Sequence, residues 1–287
     1  MALYGAIEAG GTKFVCAIGD AQLNIIETIT IPTTTPEETM VKVQSFFDKY
    51  EILTIGIGSF GPIDINKESK TYGFITSTPK TAWKNFDFVG TLKAYYDVPI
   101  AFTTDVNASL YGEYKAGIAK NVDSAVYYTI GTGIGGGAML KGRFVEGLSH
   151  PEMGHMNISL HKDDQFEGSC PYHQNCLEGM ASGPAIEKRV GTEGKFIQED
   201  DEVWDIIAYY IAQAAFNTTL LLSPELIILG GGVMHQHHLL DKIRDQFVEI
   251  NNSYINLPPI DQYIAEPSLE DKQGIIGCLA LAKEEHK

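Results

Sequence analysis

The chain has 287 residues, which suits two domains, and 44% of them are hydrophobic while 20% are charged, a composition that excludes a disordered chain. No run approaches the ~18 uncharged apolar residues of a membrane-spanning helix, and the net charge of −16 opposes nucleic-acid binding, which needs a cationic surface. The start lacks the basic region of a signal peptide, so the protein is predicted to be cytoplasmic, with no nucleic-acid or membrane partner.

The first half of the chain alternates strand-like apolar runs with helix patterns. Strands are predicted in a hairpin at 3–19 and at 53–58 and 99–104. Helices are predicted at 35–50, 87–96 and 108–115. The first helix has the clearest start, because Thr35 as N-cap, Pro36 beside it and Glu38 three positions on form a capping box.

The second half of the chain repeats this theme. A second glycine-rich hairpin is predicted at 124–140, followed by an irregular stretch at 150–183. The remaining elements are predicted as a helix at 203–222, a strand at 226–229 that leads into three glycines, and a closing helix at 274–283. Two glycine hairpins, each followed by helices and strands, predict a duplicated α/β domain.

Three glycines that follow a strand, Gly131, Gly133 and Gly136, match the G-x-G-x-x-G pattern of dinucleotide-binding folds. That interpretation requires a helix to begin at the loop, but a lysine-glycine pair interrupts the next residues, so a hairpin is predicted instead. The turns at 10–12 and 131–133 can present successive backbone N–H groups to phosphate, since glycine allows close approach and threonine adds a hydroxyl. Two ordinary tight turns are the alternative.

Several motifs, spread over nearly the whole chain, resemble those of the ROK family (repressors, open reading frames and sugar kinases) in the actin-like ATPase and sugar kinase superfamily. They are Glu8-Ala-Gly-Gly-Thr12-Lys13, Asp105-Val-Asn107, Gly131-Thr-Gly-Ile-Gly-Gly136, Glu152-Met-Gly-His155 and Cys170-Pro-Tyr-His-Gln-Asn-Cys-Leu-Glu178. The resemblance implies an α/β fold of two ribonuclease-H-like domains with an interdomain cleft. The expected N-terminal domain is 1–118, completed by a C-terminal helix at 271–287. Residues 119–270 are expected to form a larger domain that contains the nucleotide site and a loop with candidate zinc ligands.

The resemblance is strongest to the bacterial fructokinases of this family, and it implies ATP-dependent phosphorylation of the primary hydroxyl of a hexose. D-Fructose, converted to D-fructose 6-phosphate, is the favoured substrate, with glucokinase or mannokinase activity as the alternative. A sugar-responsive regulator without catalysis is a further alternative, which the acidic charge and the lack of room for a helix-turn-helix module before Glu8 disfavour. The expected partners are ATP with Mg²⁺, a hexose, and a second copy of the chain in a homodimer.

Asp105 is the candidate catalytic base, because it directly follows a predicted strand, at the carboxyl end where α/β folds bind ligands. From the pattern alone, a helix N-cap is an equally good interpretation, since aspartate is favoured at that position. The resemblance implies catalysis, in which the carboxylate accepts the proton of the sugar hydroxyl during phosphoryl transfer.

The resemblance also implies a set of binding residues. For the sugar they are Gly61, Thr104, Asn107, Glu152, His155 and Glu178. For ATP they are Gly10, Gly11, Thr12, Lys13, Gly131, Thr132, Gly133, Gly230, Gly231 and Gly232. Two positions depart from the family's glucokinases. Thr104 stands where they usually have asparagine, which favours fructose over glucose, and Glu8 stands where they usually have aspartate.

A candidate metal site combines Cys170, His173 and Cys176 with His155 upstream, because two thiolates and two imidazoles suit a closed tetrahedral zinc site. Free thiols near unrelated histidines are the alternative, and a disulfide is disfavoured in a cytoplasmic chain. His161 competes with His173 for the fourth position, since the family usually has a third cysteine here. The zinc is expected to be structural, because four protein ligands leave no open position. The other two cysteines are predicted to be core residues.

Overall fold

A computed structural model of the chain describes residues 2–286, which form two compact units. Unit 1 consists of the described residues of Met1–Asn121, Val145–His150 and Ser268–Lys287, and unit 2 of Val122–Phe144 and Pro151–Pro267. The strands are β1 (Tyr4–Ala9), β2 (Lys13–Gly19), β3 (Ile25–Pro32), β4 (Ile55–Ser59), β5 (Phe74–Ile75), β6 (Phe86–Asp87), β7 (Ile100–Thr104), β8 (Ala125–Ile130), β9 (Ile134–Leu140), β10 (Arg143–Phe144), β11 (Leu226–Gly230) and β12 (Ile264–Ala265). The α-helices are α1 (Pro36–Phe47), α2 (Phe88–Lys93), α3 (Asp105–Ala116), α4 (Leu177–Ala181), α5 (Gly183–Val190), α6 (Val203–Leu222), α7 (His238–Asn251), α8 (Ile260–Tyr263) and α9 (Gln273–Glu285).

The main sheet of unit 1 has the strand order β3-β2-β1-β4-β7. Its first three strands are antiparallel neighbours, and β4 and β7 then extend the sheet from β1 in parallel. The predicted N-terminal hairpin is confirmed, with Tyr4 opposite Gly19 and Ala9 opposite Phe14. Because β1, β4 and β7 are parallel, their carboxyl ends share one edge of the sheet, which is where α/β folds place reactive side chains.

Both faces of the unit 1 sheet are covered. On one face, α1 and α2 pack over an aromatic cluster in which the ring centroids of Phe14 and Trp83 lie 5.2 Å apart. On the other face, α3 and α9 pack through small residues, and only glycine fits at Gly277, because a Cβ there would collide with the carbonyl oxygen of Ala108. The two cysteines predicted to be core residues are buried free thiols: Cys16 and Cys278.

Side-chain caps determine where two of the helices begin. Thr35 accepts a hydrogen bond from the backbone N–H of Glu38, which confirms the predicted start of α1. α3 begins three residues earlier than predicted, at Asp105, because the hydroxyl of Thr104 accepts a hydrogen bond from the Asn107 N–H at 3.1 Å. The interpretation of Asp105 as an N-cap is therefore wrong, since Thr104 fills that role.

The main sheet of unit 2 has the order β10-β9-β8-β11-β12, again three antiparallel strands followed by two parallel additions. Its glycine-rich loop leads into β9 and not into a helix, which confirms the predicted hairpin and excludes a dinucleotide-binding turn. The predicted long helix is confirmed as α6, which contacts the sheet through a 2.5 Å hydrogen bond between the hydroxyls of Thr218 and Tyr128. None of the helices within residues 2–286 combines the length and apolar character needed to span a bilayer.

Candidate active site

Two acidic side chains lie together on the α3–α9 face of unit 1. Asp105 is the first residue of α3, and Glu8 on β1 faces the start of α9, where a Cβ on Gly274 would collide with its carboxyl group. The pKa of the Glu8 carboxyl is raised to about 7, chiefly by burial and also by the negative charges of Asp105 and Asp271, while the positive charge of Lys13 opposes the shift. Glu8 is therefore an acid that is partly protonated at neutral pH and largely protonated below it, beside the predicted base.

Asp105 itself is half-buried, and its carboxyl is not needed to cap the helix. One of its carboxyl oxygens accepts a hydrogen bond from the next backbone N–H, that of Val106, at 2.8 Å. Two of the predicted sugar residues serve the start of α3. Thr104 caps the helix, and Asn107 is 2% exposed and donates from Nδ2 to the hydroxyl of Thr103 at 3.1 Å. Both residues thus hold Asp105 at the carboxyl end of β7.

The first glycine turn joins β1 to β2 at the same edge of the sheet. Its backbone is closed by a hydrogen bond from the Gly10 N–H to the Lys13 carbonyl at 2.9 Å. Thr33, which follows β3, holds the turn through two hydrogen bonds. Its hydroxyl donates to the Gly10 carbonyl at 2.7 Å, and its N–H donates to the Thr12 carbonyl at 2.9 Å. Gly11 is half-buried, and Thr12 and Lys13 are exposed to solvent.

The loop that contains Gly61 begins at the end of β4, next to this turn. Phe60 donates from its N–H to the carbonyl of Ala9, the last residue of β1, at 2.7 Å. Gly61 itself is half-buried. The structure therefore brings four sequence-predicted features to one edge of the unit 1 sheet: the glycine turn, Gly61, Thr104 and Asp105.

The second glycine turn, in unit 2, is held by two helices. The Gly131 N–H donates to the Gly133 carbonyl at 2.9 Å, and the Gly183 N–H at the start of α5 donates to the Gly131 carbonyl at 2.8 Å. Glu178 on α4 accepts a hydrogen bond from the N–H of Ile134, the residue after the turn, at 2.9 Å. A predicted sugar residue, Glu178, therefore contacts the predicted phosphate turn.

The Glu152–His155 motif lies against the same turn. Residues Met153–His155 form a single turn of 3₁₀-helix, and Gly154 packs so closely on the Ile134 carbonyl oxygen that no side chain fits there. The Nε2 atom of His155 lies 3.9 Å from a carboxyl oxygen of Glu178, and Glu152 is exposed. The structure thus brings Glu178, His155 and the turn together within unit 2.

The four predicted metal ligands, one atom from each, all lie within 4.8 Å of one another: His155, Cys170, His173 and Cys176. The His155 Nδ1 atom is 3.5 Å from the Cys176 sulfur and 3.8 Å from the Cys170 sulfur, and the Cys170 sulfur is 3.9 Å from the His173 Nδ1 atom. Zinc bonds of about 2.0 Å to nitrogen and 2.3 Å to sulfur place tetrahedral ligand atoms about 3.3–3.8 Å apart, so the donor set fits this ion.

Two further observations concern the metal cluster. Burial raises the pKa of the Cys176 thiol to about 11, so a neighbouring cation is needed to keep it as a thiolate at neutral pH. His161, the competing candidate ligand, lies outside the cluster. Its Nδ1 atom accepts a hydrogen bond from the Asp163 N–H, and its ring packs edge-on against Tyr209.

A cavity of about 430 Å³ opens in unit 2 beside the second glycine turn, a volume within the usual ~300–1,000 Å³ of small-molecule sites. Of the predicted ATP residues it is lined by three: Gly131, Thr132 and Gly232. Gly230 instead packs against the hydroxyl of Tyr127, and Gly231 has a φ of 93° and packs against the backbone of Ile130, a position that only glycine suits.

Sequence reasoning missed most of the other residues that line this cavity. They come from α5, α6 and two short turns, and include Ile186, Glu187, Lys195, Trp204, His235 and Gln236. None of them belongs to a motif, because a cavity wall assembled from separate elements has no characteristic spacing along the chain.

Comparison with solved structures defines the class of fold. The crystal structure of a ROK hexokinase from Thermus thermophilus superposes with a TM-score of 0.82 at 22% identity, covering 99% of each chain. The chain therefore has the two-sheet α/β fold of that structure, and the predicted fold class is confirmed. The profile of the ROK family matches residues 4–285, and the chain belongs to the ROK family.

Two characterised relatives are more similar in sequence. The chain is 51% identical over 288 residues to a fructokinase of Streptococcus mutans serotype c, covering 98% of each chain. It is 55% identical over 270 residues to a fructokinase of Lactococcus lactis subsp. cremoris, covering 93% of this chain and 92% of the relative. The predicted membership of the ROK family is confirmed.

Proposed function

We propose that this protein is a sugar kinase that transfers the terminal phosphoryl group of ATP to the primary hydroxyl of D-fructose, giving D-fructose 6-phosphate and ADP. Two nearly full-length relatives at 51% and 55% identity are fructokinases, which supports this substrate. The structural observation that carries the mechanism is the position of Asp105, which is the first residue of α3. Its carboxyl group does not cap the helix, because Thr104 does so.

Asp105 acts as the general base. Its carboxylate accepts the proton of the sugar hydroxyl as the oxygen of that hydroxyl attacks the γ-phosphorus and the bond to ADP breaks. Because the transition state of phosphoryl transfer is loose, the proton leaves late and the base does not need a strongly raised pKa. A half-buried aspartate fixed at the start of a helix meets this requirement, since its position is set by the backbone.

The two glycine turns bind the phosphates of MgATP. Gly11, Thr12 and Lys13 offer backbone N–H groups, a hydroxyl and an ammonium while Gly10 closes the turn, and in unit 2 Thr132 and Gly133 offer backbone N–H groups while Gly131 closes the turn. Mg²⁺ enters with the nucleotide and neutralises charge on the β- and γ-phosphates. The cavity beside Gly131 receives the adenosine, with Gly232 on its wall and Gly230 and Gly231 supporting that wall from behind.

The remaining predicted residues orient the hexose. Glu152 and His155 are proposed to contact sugar hydroxyls, as is the carboxyl oxygen of Glu178 that faces His155. Gly61 lets the sugar approach the backbone beside Asp105. Thr104 and Asn107 are proposed to act mainly by holding the start of α3, because both side chains are already hydrogen-bonded there.

His155, Cys170, His173 and Cys176 are proposed to hold a structural Zn²⁺. The ion would supply a rigid tetrahedral crosslink and no catalytic water, because four protein ligands fill its coordination shell. With its Nδ1 atom toward the sulfurs, His155 keeps Nε2 directed at Glu178, so metal binding orders the pair that is proposed to face the sugar. A homodimer stays a prediction.

A steady-state comparison of D-fructose, D-mannose and D-glucose with MgATP tests this proposal, with ³¹P NMR used to locate the phosphate on the product. The expected result is the highest kcat/KM for fructose and a 6-phosphate product. A higher kcat/KM for glucose or mannose would contradict the substrate, and sugar binding without phosphorylation of any of the three would favour a non-catalytic regulator.

A further inference from the structure

The loop that follows β4 pairs with the segment at 74–76 through its backbone. The Thr76 N–H donates to the Pro62 carbonyl at 2.8 Å, and the Asp64 N–H donates to the Phe74 carbonyl at 3.0 Å. Residues 62 and 64 therefore face the segment at 74–76 through their backbone groups. In an extended pair, the residue between them directs its backbone N–H to the opposite side, where this segment cannot reach it.

That intervening residue is Ile63, which is 2% exposed. A buried backbone N–H needs an acceptor, because leaving it unpaired gives up the hydrogen bonds that it makes with water in the unfolded chain. The acceptor is the Nε2 atom of His150, at 3.2 Å from the Ile63 nitrogen. The imidazole thus accepts the hydrogen bond that a backbone carbonyl of a neighbouring strand would otherwise accept.

His150 comes from a distant part of the chain. It is the last residue of Val145–His150, a short segment that leaves unit 2 after β10 and belongs to unit 1. Its ring also covers Gly61, because a Cβ at that glycine would lie 3.7 Å from two atoms of the imidazole. One side chain therefore fastens the loop by a hydrogen bond and limits the space above the glycine that is proposed to meet the sugar.

We infer that His150 is a positioning residue that holds the Gly61–Ile63 loop in the conformation that binds the hexose. The inference rests on the proposed function, because it assigns the loop to the sugar. To accept the proton of the Ile63 N–H, Nε2 must carry a lone pair, so the imidazole is neutral with its proton on Nδ1. A glutamine carbonyl can accept the same hydrogen bond, whereas a phenylalanine ring fills the space without an acceptor.

The test compares His150→Phe and His150→Gln with the unaltered protein and with His286→Gln, a matched change at an exposed histidine beyond the end of α9. His150→Phe is expected to raise the KM for fructose about tenfold, the effect of one lost hydrogen bond, while the KM for ATP stays within twofold. His150→Gln is expected to restore most of the fructose KM, and His286→Gln to change neither KM.

Hydrogen–deuterium exchange gives a second reading that does not depend on sugar kinase activity. The peptide that contains Ile63 is expected to exchange faster in His150→Phe than in His150→Gln, with the other peptides of unit 1 unchanged. If fructose is not a substrate but this difference is seen, the proposed substrate fails while the hydrogen bond stands.

Two outcomes would overturn the inference. One is a fructose KM in His150→Phe equal to that of the unaltered protein. The other is equal behaviour of the Phe and Gln variants, which would mean that the ring acts by packing alone. A general loss of folding in His150→Phe would raise exchange throughout unit 1, and the Gln variant, with normal exchange elsewhere, would then decide through its own fructose KM.

Discussion

The glycine turn of unit 1 and the glycine turn of unit 2 join equivalent strands in sheets of the same order, but different groups hold them. In unit 1 the turn is fastened by Thr33 from the adjacent strand β3. In unit 2 the turn is fastened by Glu178 from α4 and by the start of α5, and α4 directly follows the cysteine cluster. The same backbone geometry can therefore be supported by a regular sheet or by an irregular segment.

The two turns therefore depend on different kinds of structure. The unit 1 turn and Asp105 rest on strands and on a helix cap, which form from backbone and local side-chain interactions. The unit 2 turn rests on the stretch between Pro151 and Ser182, which has little regular structure and brings together two histidines and two cysteines that could hold a metal ion. Unit 2 is expected to lose its turn geometry when the proposed zinc is removed, whereas unit 1 is expected to keep its own.

The largest expected effect concerns the chemistry assigned to unit 1. Asp105→Asn is expected to lower kcat about 10²- to 10⁴-fold, the usual contribution of a general base, with the KM for ATP changed much less. The control is Asp97→Asn, which alters an exposed carboxyl in the loop before β7. Undiminished turnover in a folded Asp105→Asn protein would mean that Asp105 is not the general base.

The next effect concerns the metal cluster of unit 2. Cys176→Ser is expected to abolish bound zinc and to lower the free energy of unfolding by about 3 kcal/mol, because the crosslink that orders the irregular segment is lost. Metal content by elemental analysis and chemical denaturation measure the two quantities. His161→Gln is the matched control and is expected to keep the zinc. Equal zinc content in the two variants would show that the cluster is not the metal site.

A smaller effect concerns Glu8, the acid of unit 1 whose pKa is raised. The folded-state pKa of Glu8, raised to about 7 by burial, lies above that of the unfolded chain, so the native state binds an extra proton between the two values. Stability from this group is present below the unfolded pKa and is lost as pH rises through 7. Glu8→Gln does not lose stability in this way, because the amide does not ionise.

The expected result is that the stability of Glu8→Gln, relative to the unaltered protein, is about 2 kcal/mol higher at pH 8 than at pH 5. Urea denaturation at both pH values measures it, and Glu51→Gln, at an exposed site, is the control. A stability difference that does not vary with pH would mean that Glu8 is ionised throughout this range.

The smallest effect concerns Glu178, which accepts a hydrogen bond from the Ile134 N–H and lies 3.9 Å from Nε2 of His155. Glu178→Ala removes the acceptor for the Ile134 N–H and is expected to raise the KM for both ATP and fructose about tenfold, the effect of one lost hydrogen bond. Glu178→Gln keeps an acceptor and is expected to change the KM for fructose alone. If Glu178→Ala leaves the KM for ATP unaltered, the unit 2 turn does not depend on this side chain.

Local signals predicted the parts of this protein that form from neighbours along the chain. The two hairpins, the start of α1 at Thr35 and the bounds of α6 are confirmed, because turn glycines, a capping threonine and a long apolar period act within a few residues. The grouping of Cys170, His173 and Cys176 was predicted for the same reason, since a stretch of seven residues contains all three.

Other elements lacked such signals. β3 and α7 were not predicted, and the start of α3 was placed three residues late because Asp105 is itself a favoured capping residue. Thr104 became the cap because β7 ends there and its extended backbone places the hydroxyl above the Asn107 N–H. The competition between two adjacent capping residues was thus decided by the neighbouring strand.

The amino-acid sequence by itself determined the succession of strands and helices, the two glycine turns and the identity of the metal-ligand types, because these depend on interactions within a few residues. Only the tertiary structure decided that Glu8 faces Gly274, that His150 closes the loop at Ile63, and that Trp204 lines the cavity. These contacts join residues far apart in the chain, and their formation depends on how complete elements pack, which no local spacing records.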